Sequence, residues 1–417
     1  MGDRLSPPIV IAGAGLAGLT AAWALSSAGA SVQLVEAAAH VGGALAPLPP
    51  VCFEHDGRGF SFPSERRSVR VWRQDRNLRR LLDTLDTTRA LRVIRGTDRI
   101  LMDPSGHRHL TPERDARRSR WPAPWCWLRG GGDARSLARA VAFDAVTDAR
   151  PGGRADALHA GLSPDGVQLL EGWCEETFGV PARAVPLALA LTTLQRRGLA
   201  DARDSELAAL SSAPSGALLA PLIAGIEASG GEVIVSAAPS LMAQARVTTP
   251  TDGGQAVIRL WFRGAPDPGR ADAGGMGGAA QTYTWLHRVR EDHRAWSEAT
   301  GGSVIELTRA SPGREPIASC RALAEGIWPE LAGSFVTGHA AAPVGRPTGA
   351  VPGAAEETGA PGLEGDVLAG LLAAREAAAD AGIDLSRLPE PLAPHPPPAV
   401  FLRTRAGLRR AGLHKGW

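Results

Sequence analysis

The chain has 417 residues, of which 44% are hydrophobic and 21% are charged, and its formal net charge is +2. This length gives room for two domains with a core each, and the near-balanced charge gives no reason to expect nucleic acid as a partner. The one lysine, Lys415, lies in the C-terminal tail. Enzyme classes that need a P-loop, Schiff-base or pyridoxal-phosphate lysine in the body of the chain are therefore excluded.

The four cysteines, Cys52, Cys126, Cys174 and Cys320, are far apart and form no C-x-x-C pair. This spacing predicts neither a zinc site nor a disulfide framework, and no other metal site is predicted. No apolar run reaches the length of a membrane span, and the N-terminus leads into the first strand without room for a signal peptide. We therefore expect a cytoplasmic protein.

Residues 8–43 contain the most informative pattern. The β-branched run Ile9–Ile11 predicts a buried parallel strand, and Gly13, Gly15 and Gly18 follow it in G-x-G-x-x-G spacing. The first glycine permits a tight turn, the second lets a diphosphate approach the backbone, and the third lets the next helix pack closely on the sheet. The pattern predicts a dinucleotide-binding turn.

A helix from Leu16 to Ser27 and a strand from Ser31 to Val35 are predicted next, and the acid Glu36 ends this unit. The helix N-terminus offers free N–H groups and a partial positive charge to a phosphate. A carboxylate at this distance accepts hydrogen bonds from ribose hydroxyls, which favours FAD or NAD over NADP. The predicted nucleotide contacts of this unit are Gly13, Ala14, Gly15, Leu16, Ala17, Gly18, Glu36 and Ala37.

The stretch EAAAHVGG, from Glu36 to Gly43, resembles the extended nucleotide motif of the flavoproteins that include amine oxidases, protoporphyrinogen oxidases and phytoene desaturases. The resemblance implies FAD as the cofactor, with Gly42 and Gly43 beside it. The family has G-G-R here, and its arginine meets the FAD diphosphate, whereas this chain has Ala44. Arg58 or an arginine of the next segment is a candidate replacement.

That next segment, Ser64–Thr88, predicts an amphipathic helix with seven arginines outside its apolar face. Two interpretations stay open: a solvated face, or a face that contacts anionic lipid of the inner membrane or the cofactor phosphates. Within it, Val71–Arg79 resembles a motif of isorenieratene-synthase-type carotenoid desaturases that lines the flavin and substrate cavity. The apolar face is formed by Val69, Trp72, Leu78, Leu81, Leu82 and Leu85.

Local signals predict several further elements. A hairpin around Asp56-Gly57 follows a Pro-rich loop at residues 45–50, and two strands flank residues 104–106. Helices are predicted at 136–147 and 163–178, with a helix or strand at 186–194, and an aromatic loop at 121–127. The segment 256–262 predicts a strand and 267–278 a mobile Gly-rich loop. Residues 281–307 predict strand, helix, turn and strand.

The segment Ser215–Ala237 predicts a helix, a Gly-Gly turn and a strand. It resembles the family segment whose strand contacts the FAD adenosine, which implies Val233 as a contact. Trp296–Leu307 is again similar to carotenoid-desaturase-like proteins. These resemblances imply that the chain returns to the nucleotide-binding domain after an inserted region.

Two interpretations of residues 359–374 stay open. The family carries L-x-L-A-G-D near its end, and its Asp meets the ribityl chain, so Gly365 and Asp366 form a contracted version of that motif. Alternatively, Leu363 begins the final helix and the Gly-Asp strand is absent. A helix at Val367–Ala381 and a Pro-rich linker at Pro389–Pro398 are predicted in either case.

The predicted fold class is α/β: a Rossmann-like FAD/NAD(P)-binding domain with a parallel sheet, discontinuous in sequence, plus an α+β substrate domain. The predicted boundaries are 1–63, 214–250 and 350–385 for the first domain, 64–213 and 251–349 for the second, and 386–417 for a tail.

The resemblance implies an FAD-dependent oxidoreductase that takes a hydride from an apolar isoprenoid or carotenoid-like substrate. An NAD(P)-binding reductase and a non-catalytic homologue stay open as alternatives. No catalytic residue is predicted, and His287 and His293 have no evident partner acid.

Overall fold

The computed structural model describes residues 7–67, 69–94, 97–103, 106–110, 153–162, 164–178, 180–194, 207–245, 247–248, 256–276, 282–309, 314–341, 358 and 360–393. The predicted aromatic loop at 121–127 and helix at 136–147 lie outside these residues, as does Cys126.

In chain order, the elements are β1 (Ile9–Ala12), α1 (Leu16–Ser27), β2 (Val32–Val35), β3 (Pro47–His55), β4 (Arg58–Glu65), β5 (Arg70–Trp72), α2 (Arg76–Thr84), β6 (Leu91–Val93), β7 (Thr97–Asp103), β8 (Gly106–Leu110), α3 (Pro164–Phe178), α4 (Leu187–Thr193), β9 (Leu207–Leu210), α5 (Ala220–Ala228), β10 (Glu232–Ile234), α6 (Pro239–Met242), β11 (Val247–Thr248), β12 (Ala256–Phe262), β13 (Ala273–Met276), β14 (Thr282–Trp285), α7 (Leu286–Val289), α8 (Glu291–Thr300), β15 (Ser303–Arg309), α9 (Pro316–Ile327), β16 (Phe335–Ala341) and α10 (Leu363–Asp380).

A four-stranded parallel sheet in the order β10-β2-β1-β11 forms the predicted nucleotide-binding unit. Helices α1, α5 and α10 pack together on it through one apolar core. A Cβ at Gly370 of α10 would lie 2.3 Å from the carbonyl oxygen of Ala17 in α1, so only glycine allows this approach. The sheet joins segments that are distant in sequence, and the predicted Rossmann-like, discontinuous fold class is confirmed.

A second, mixed sheet has seven strands in the order β16-β12-β15-β14-β13-β7-β8. One face of β12, β15 and β14 packs against α9 around Leu260, Ile305 and Tyr283. The strand predicted at 256–262 is fully buried, and the predicted strand, helix, Gly-Gly turn and strand at 281–307 are confirmed. This sheet with its helices is the predicted α+β part of the fold.

The hairpin β3-β4 forms a separate two-stranded sheet. Its turn is Asp56-Gly57, with φ angles of 49° and 72°, as the sequence signal predicts. The predicted loop at 45–50 is wrong from Pro47 onward, because Pro47 and Leu48 already pair with Glu65 and Ser64 of β4.

The single helix predicted over Ser64–Thr88 is wrong. Among the described residues of this segment, the α-helix covers Arg76–Thr84, whereas Arg70–Trp72 forms β5 and pairs with β9, a strand more than 130 residues later. The predicted basic face is accordingly divided. Arg76 donates to the carbonyl of Ala393, so residues of the predicted linker lie against α2.

The predicted Gly-rich loop at 267–278 is also wrong in part. Residues Ala273–Met276 form β13, which pairs with β7 and β14 inside the large sheet. Elsewhere, the helix predicted at 163–178 is confirmed as α3, with Trp173 and Phe178 buried in edge-on contact.

Candidate functional site

The glycine turn has the geometry that its sequence predicts. Gly13 has φ of +94°, a conformation that favours glycine, and its N–H donates to the carbonyl of Val35 over 2.8 Å. A Cβ at Gly18 would lie 1.9 Å from the carbonyl oxygen of Gly13 and 3.5 Å from Leu34. The turn and the first helical turn are therefore in direct contact.

Gly15 faces open space. It is the N-cap of α1, no side chain caps the helix, and a Cβ built on it would meet no atom within 4 Å. The side chains of Leu16 and Ala17 are buried, so this end presents its backbone. The first N–H groups of a helix have no intrahelical partner, and the first turn of α1 holds no acid. This end can receive an anion.

The carboxylate of Glu36 is directed at the glycine turn. Its Oε2 accepts from the N–H of Ala14 over 2.7 Å and its Oε1 from the N–H of Ala38 over 2.9 Å. A carboxylate has about four lone-pair positions, so acceptor capacity remains for other donors such as ribose hydroxyls. Ala37 lies exposed beside it.

Gly42 and Gly43 close over the turn from the other side. Gly42 has φ of +112° and donates to the carbonyl of Ala14 over 2.7 Å, and a Cβ at Gly43 would lie 3.2 Å from the Cα of Gly15. Ala44 follows with a buried methyl group. The structure thus brings both predicted glycines to the predicted turn, without an arginine at the third position.

Val233 lies on β10, beside β2. Its side chain packs against the core shared by α1 and α5, and the next residue, Ile234, accepts from the backbone N–H of Glu36 over 2.8 Å. Val233 is therefore near Glu36 through its backbone, while its side chain faces the core.

Gly365 and Asp366 lie in the first turn of α10, which begins at Leu363. Of the two interpretations, the one in which Leu363 begins the final helix is confirmed, and the contracted strand motif is wrong. Asp366 Oδ2 accepts from Arg67 Nη1 over 3.0 Å, and a Cβ at Gly365 would lie 2.1 Å from the carbonyl oxygen of Ala360.

Glu364, which the sequence analysis did not single out as a contact, joins α10 to α2. Its carboxylate accepts from the backbone N–H groups of Asn77 and Leu78 and from the Asn77 side chain, at 2.7–3.1 Å. It therefore caps the N-terminus of a different helix. Burial, together with the charge of Asp75, raises the pKa of Glu364 to about 7.

A buried charge network escaped the sequence analysis altogether. Arg259 on β12 is 1% exposed and donates to Glu306 on β15 and to Glu65 on β4, over 2.8 and 2.9 Å. Arg290 also donates to Glu65. A single charge inside an otherwise apolar strand, as in AVIRLWF, is the signal that predicts such a partner. The network fixes hairpin β3-β4 to the large sheet.

The expectation that His293 has no partner acid is wrong. Its Nδ1 lies 2.7 Å from Asp292 Oδ1, and its side chain is fully buried. Burial lowers the pKa of His293 to about 4, against the hydrogen bond to Asp292. The ring is neutral at physiological pH and donates to the acid. The ring packs against Phe62 and Trp261 in an aromatic cluster. His293 therefore contributes to the packing of the core.

The part of the chain that the structure describes contains no group of three or more His, Cys, Asp and Glu side chains placed to hold a metal ion. None of its helices is long and apolar enough to cross a bilayer. The described cysteines Cys52, Cys174 and Cys320 are free thiols.

The first part of the chain matches the model of a known domain family. Residues 11–85 match the family model of the NAD(P)-binding Rossmann-like domain. No curated protein sequence matches the chain. The matched segment contains the glycine turn, Glu36, the hairpin and α2.

Comparison with solved structures extends the likeness to most of the chain. A putrescine oxidase bound to putrescine has a TM-score of 0.56 at 15% identity, over 90% of this chain and 99% of its own. Cyclohexylamine oxidase from Brevibacterium oxydans IH-35A has a TM-score of 0.53 at 15% identity, over the same shares. An oxidoreductase from Methanosarcina mazei has a TM-score of 0.50 at 13% identity, over 83% and 90%. At such identities the likeness establishes a shared fold.

Proposed function

We propose that the chain is an FAD-dependent oxidoreductase that takes a hydride from an apolar, isoprenoid or carotenoid-like substrate. The observation that carries the proposal is the pairing of open space above Gly15 with the carboxylate of Glu36, which binds the N–H of Ala14. Helix N–H groups favour a diphosphate, and a nearby carboxylate favours a ribose with free hydroxyls.

The residues present fit a dinucleotide such as FAD. Gly13, Gly42 and Gly43 adopt positive φ, which favours glycine, so these three positions add no side chain to the turn. The motif from Glu36 to Gly43 resembles flavoproteins and supports FAD over NAD. A 2′-phosphate beside Glu36 would place like charges together, which disfavours NADP.

FAD, when bound, supplies the hydride acceptor, so the chain itself needs no metal ion or covalent nucleophile. The chain's residues hold the cofactor: Glu36 accepts from the sugar, and the α1 N-terminus binds the diphosphate. The buried network of Arg259, Glu65 and Glu306 holds the hairpin against the large sheet.

The apolar substrate is supported by the resemblance of Val71–Arg79 and Trp296–Leu307 to carotenoid desaturases. Many flavin amine oxidases place a lysine–water pair beside the flavin, and this chain has only Lys415. Since the named structural neighbours include oxidases of putrescine and cyclohexylamine, amines are the competing substrates.

The test begins with FAD added to purified apo-protein. We expect the bound fraction to show flavin absorbance after gel filtration, and anaerobic addition of a polyene in detergent to bleach that absorbance. Putrescine and cyclohexylamine are the matched comparison, and bleaching by these instead would reverse the substrate assignment. Uptake of NADH or NADPH without FAD would favour a nicotinamide-dependent reductase, and no uptake would leave a non-catalytic homologue.

A further inference from the structure

Residues 388–393 follow α10 and lie against the N-terminal half of α2, and we call them the strap. Their first residue is buried in the core that α1, α2 and α10 share, and the strap itself forms neither helix nor strand. Side chains of α2 bind its main chain: Arg80 donates to the carbonyl of Glu390, and Arg76 donates to that of Ala393 over 3.3 Å. The strap is thus attached to α2 through its backbone.

Asn77 makes the central contact with the strap. This residue is 1% exposed, its Oδ1 accepts from the N–H of Leu392 over 2.8 Å, and its Nδ2 donates to the carbonyl of Leu392 over 2.9 Å. The amide therefore pairs with both backbone polar groups of one residue, as a neighbouring strand would. One orientation of the amide allows this pairing, since its oxygen must face the N–H and its nitrogen must face the carbonyl.

The same amide also contacts Glu364. Asn77 Nδ2 donates its second hydrogen to Glu364 Oε1 over 2.7 Å. The carboxylate also accepts from the backbone N–H groups of Asn77 and Leu78, over 3.1 and 2.8 Å. These three partners are donors, and an ionised carboxylate is an acceptor only. Ionised Glu364 therefore favours the orientation of the Asn77 amide that the strap needs.

A proton on Glu364 changes this arrangement. The carboxyl O–H is then a donor among donors, and it gains an acceptor at this position when the Asn77 amide turns over. The turned amide presents its oxygen to Glu364 and its nitrogen to the N–H of Leu392, so the pairing with the strap is lost. The amide thus has two orientations, one for each charge state of Glu364.

Thermodynamic linkage makes this coupling reciprocal. Burial and the charge of Asp75 raise the pKa of Glu364 to about 7, whereas the hydrogen bond from the Asn77 side chain lowers it. A contact that favours the ionised acid is in turn favoured by that acid. Both charge states are accessible near neutral pH. Further charged groups on the surrounding elements are Arg76, Arg79 and Arg80 on α2, Asp366 on α10 with its partner Arg67, and Glu390 on the strap.

We propose that Glu364 controls the docking of the strap: the strap binds α2 while Glu364 is ionised, and it detaches when Glu364 takes up a proton. Asn77 is the positioning residue that couples the charge of Glu364 to the strap. The contacts that change lie between α10, α2 and the strap. The inference needs no cofactor, so it is independent of the proposed function.

Hydrogen exchange of the full chain, measured by mass spectrometry between pH 5.5 and 8.5 and corrected for the intrinsic rate at each pH, tests the inference. Pro389 and Pro391 carry no N–H, so the N–H of Leu392, bonded to Asn77, reports on the strap. We expect its protection to fall about tenfold from pH 8.5 to pH 5.5, the range for loss of two hydrogen bonds. Peptides of α1 should keep or increase their protection, since removal of a buried charge favours the folded chain.

Variants identify the groups responsible. Glu364→Gln does not titrate and places an NH2 group among the donors, so the strap should be weakly protected at every pH. Asn77→Ala should give the same result, whereas the matched control Glu376→Gln, exposed on α10, should keep the wild-type profile. Protection of α1 shows whether each variant is folded, and the wild-type profile decides alone where one is not. Strap protection that is independent of pH in wild type, or a pH dependence that persists in folded Glu364→Gln or Asn77→Ala, overturns the inference.

Discussion

The helices α1 and α10 pack against each other, yet their N-termini are built in opposite ways. Helix α1 begins at Gly15 with no acid in its first turn and with open space before it. Helix α10 begins after Gly362 and carries two acids in its first turn, Glu364 and Asp366. One end leaves its donors to a ligand, whereas the other is joined to neighbouring side chains.

The difference separates the proposed ligand surface at α1 from a structural junction at α10. At α10, Glu364 caps α2 and Asp366 binds Arg67, so changes there should alter stability, its pH dependence and the placement of Arg67. At α1, the carboxylate that the described residues direct at the turn is that of Glu36, which approaches from β2 and retains acceptor capacity. Changes there should alter ligand affinity, except where a side chain cannot fit.

The largest effect is expected from Gly18→Ala. Its Cβ would lie 1.9 Å from the carbonyl oxygen of Gly13, and neither backbone segment can move without opening the turn. We expect the free energy of unfolding in urea to fall by about 3 kcal/mol, at the upper end for overpacking, and FAD uptake to be lost.

Gly15→Ala is the matched control for this change. Its Cβ meets nothing within 4 Å and its φ is −70°, so the fold accepts it, at a cost of about 1 kcal/mol or less. The added methyl group occupies the space proposed for the diphosphate, so FAD affinity should fall while stability is kept. Equal losses of stability in the two variants would contradict the assignment of Gly15 to the ligand.

The N-terminus of α1 was predictable from the sequence because its signals lie close together in the chain. The glycine spacing, the β-branched run before it and the acid after β2 all lie within residues 8–43, and α1 has its predicted bounds, Leu16–Ser27. The Asp56-Gly57 hairpin is equally local. Each depends on residues a few positions apart, so sequence patterns are sufficient.

The N-terminus of α10 and the buried charge network depend on contacts between residues that are distant in sequence. Glu364 and Asn77 are 287 positions apart, and Arg259 meets Glu306 only because β12 and β15 pair in a register that places them directly opposite. The arginine-rich segment has a helical pattern, but Arg70–Trp72 is drawn into a sheet by β9. No local pattern carries this information, since tertiary pairing overrides local preference.

The second prediction concerns the junction at Glu364. Its unfolded pKa is 4.5, and burial with the charge of Asp75 raises the folded pKa to about 7, against three hydrogen bonds from Asn77 and Leu78. The folded chain therefore binds the proton more tightly than the unfolded chain does. Its contribution is fully present below pH 4.5 and is lost as the pH rises towards 7, so stability should fall by about 2 to 3 kcal/mol between pH 5 and 8.

Glu364→Gln removes this titration while keeping an amide oxygen for the N–H groups of α2. We expect denaturant midpoints that vary less with pH, and a variant more stable than wild type at pH 8. Glu376→Gln, at an exposed position of the same helix, should keep the wild-type pH profile. Parallel pH profiles for Glu364→Gln and wild type would show that Glu364 does not control this dependence.

The smallest effect, and the one that bears most directly on the ligand, is expected at Glu36. Glu36→Gln keeps an acceptor for the N–H of Ala14 but loses the charge that strengthens hydrogen bonds from ribose hydroxyls. We expect FAD affinity to fall about tenfold, the range for one hydrogen bond to a charged group. Glu232→Gln, exposed on the neighbouring strand β10, should bind FAD as wild type does.

Nucleotides that differ in their ribose distinguish the loss of a direct contact with Glu36 from a general loss of affinity. Wild type should prefer ADP to 2′-deoxy-ADP, because the missing hydroxyl leaves the carboxylate without its donor. In Glu36→Gln that preference should shrink, since the weaker acceptor gains less from the hydroxyl. An undiminished preference would mean that another group reads the ribose, and the direction of Glu36 towards Ala14 would then serve the turn alone.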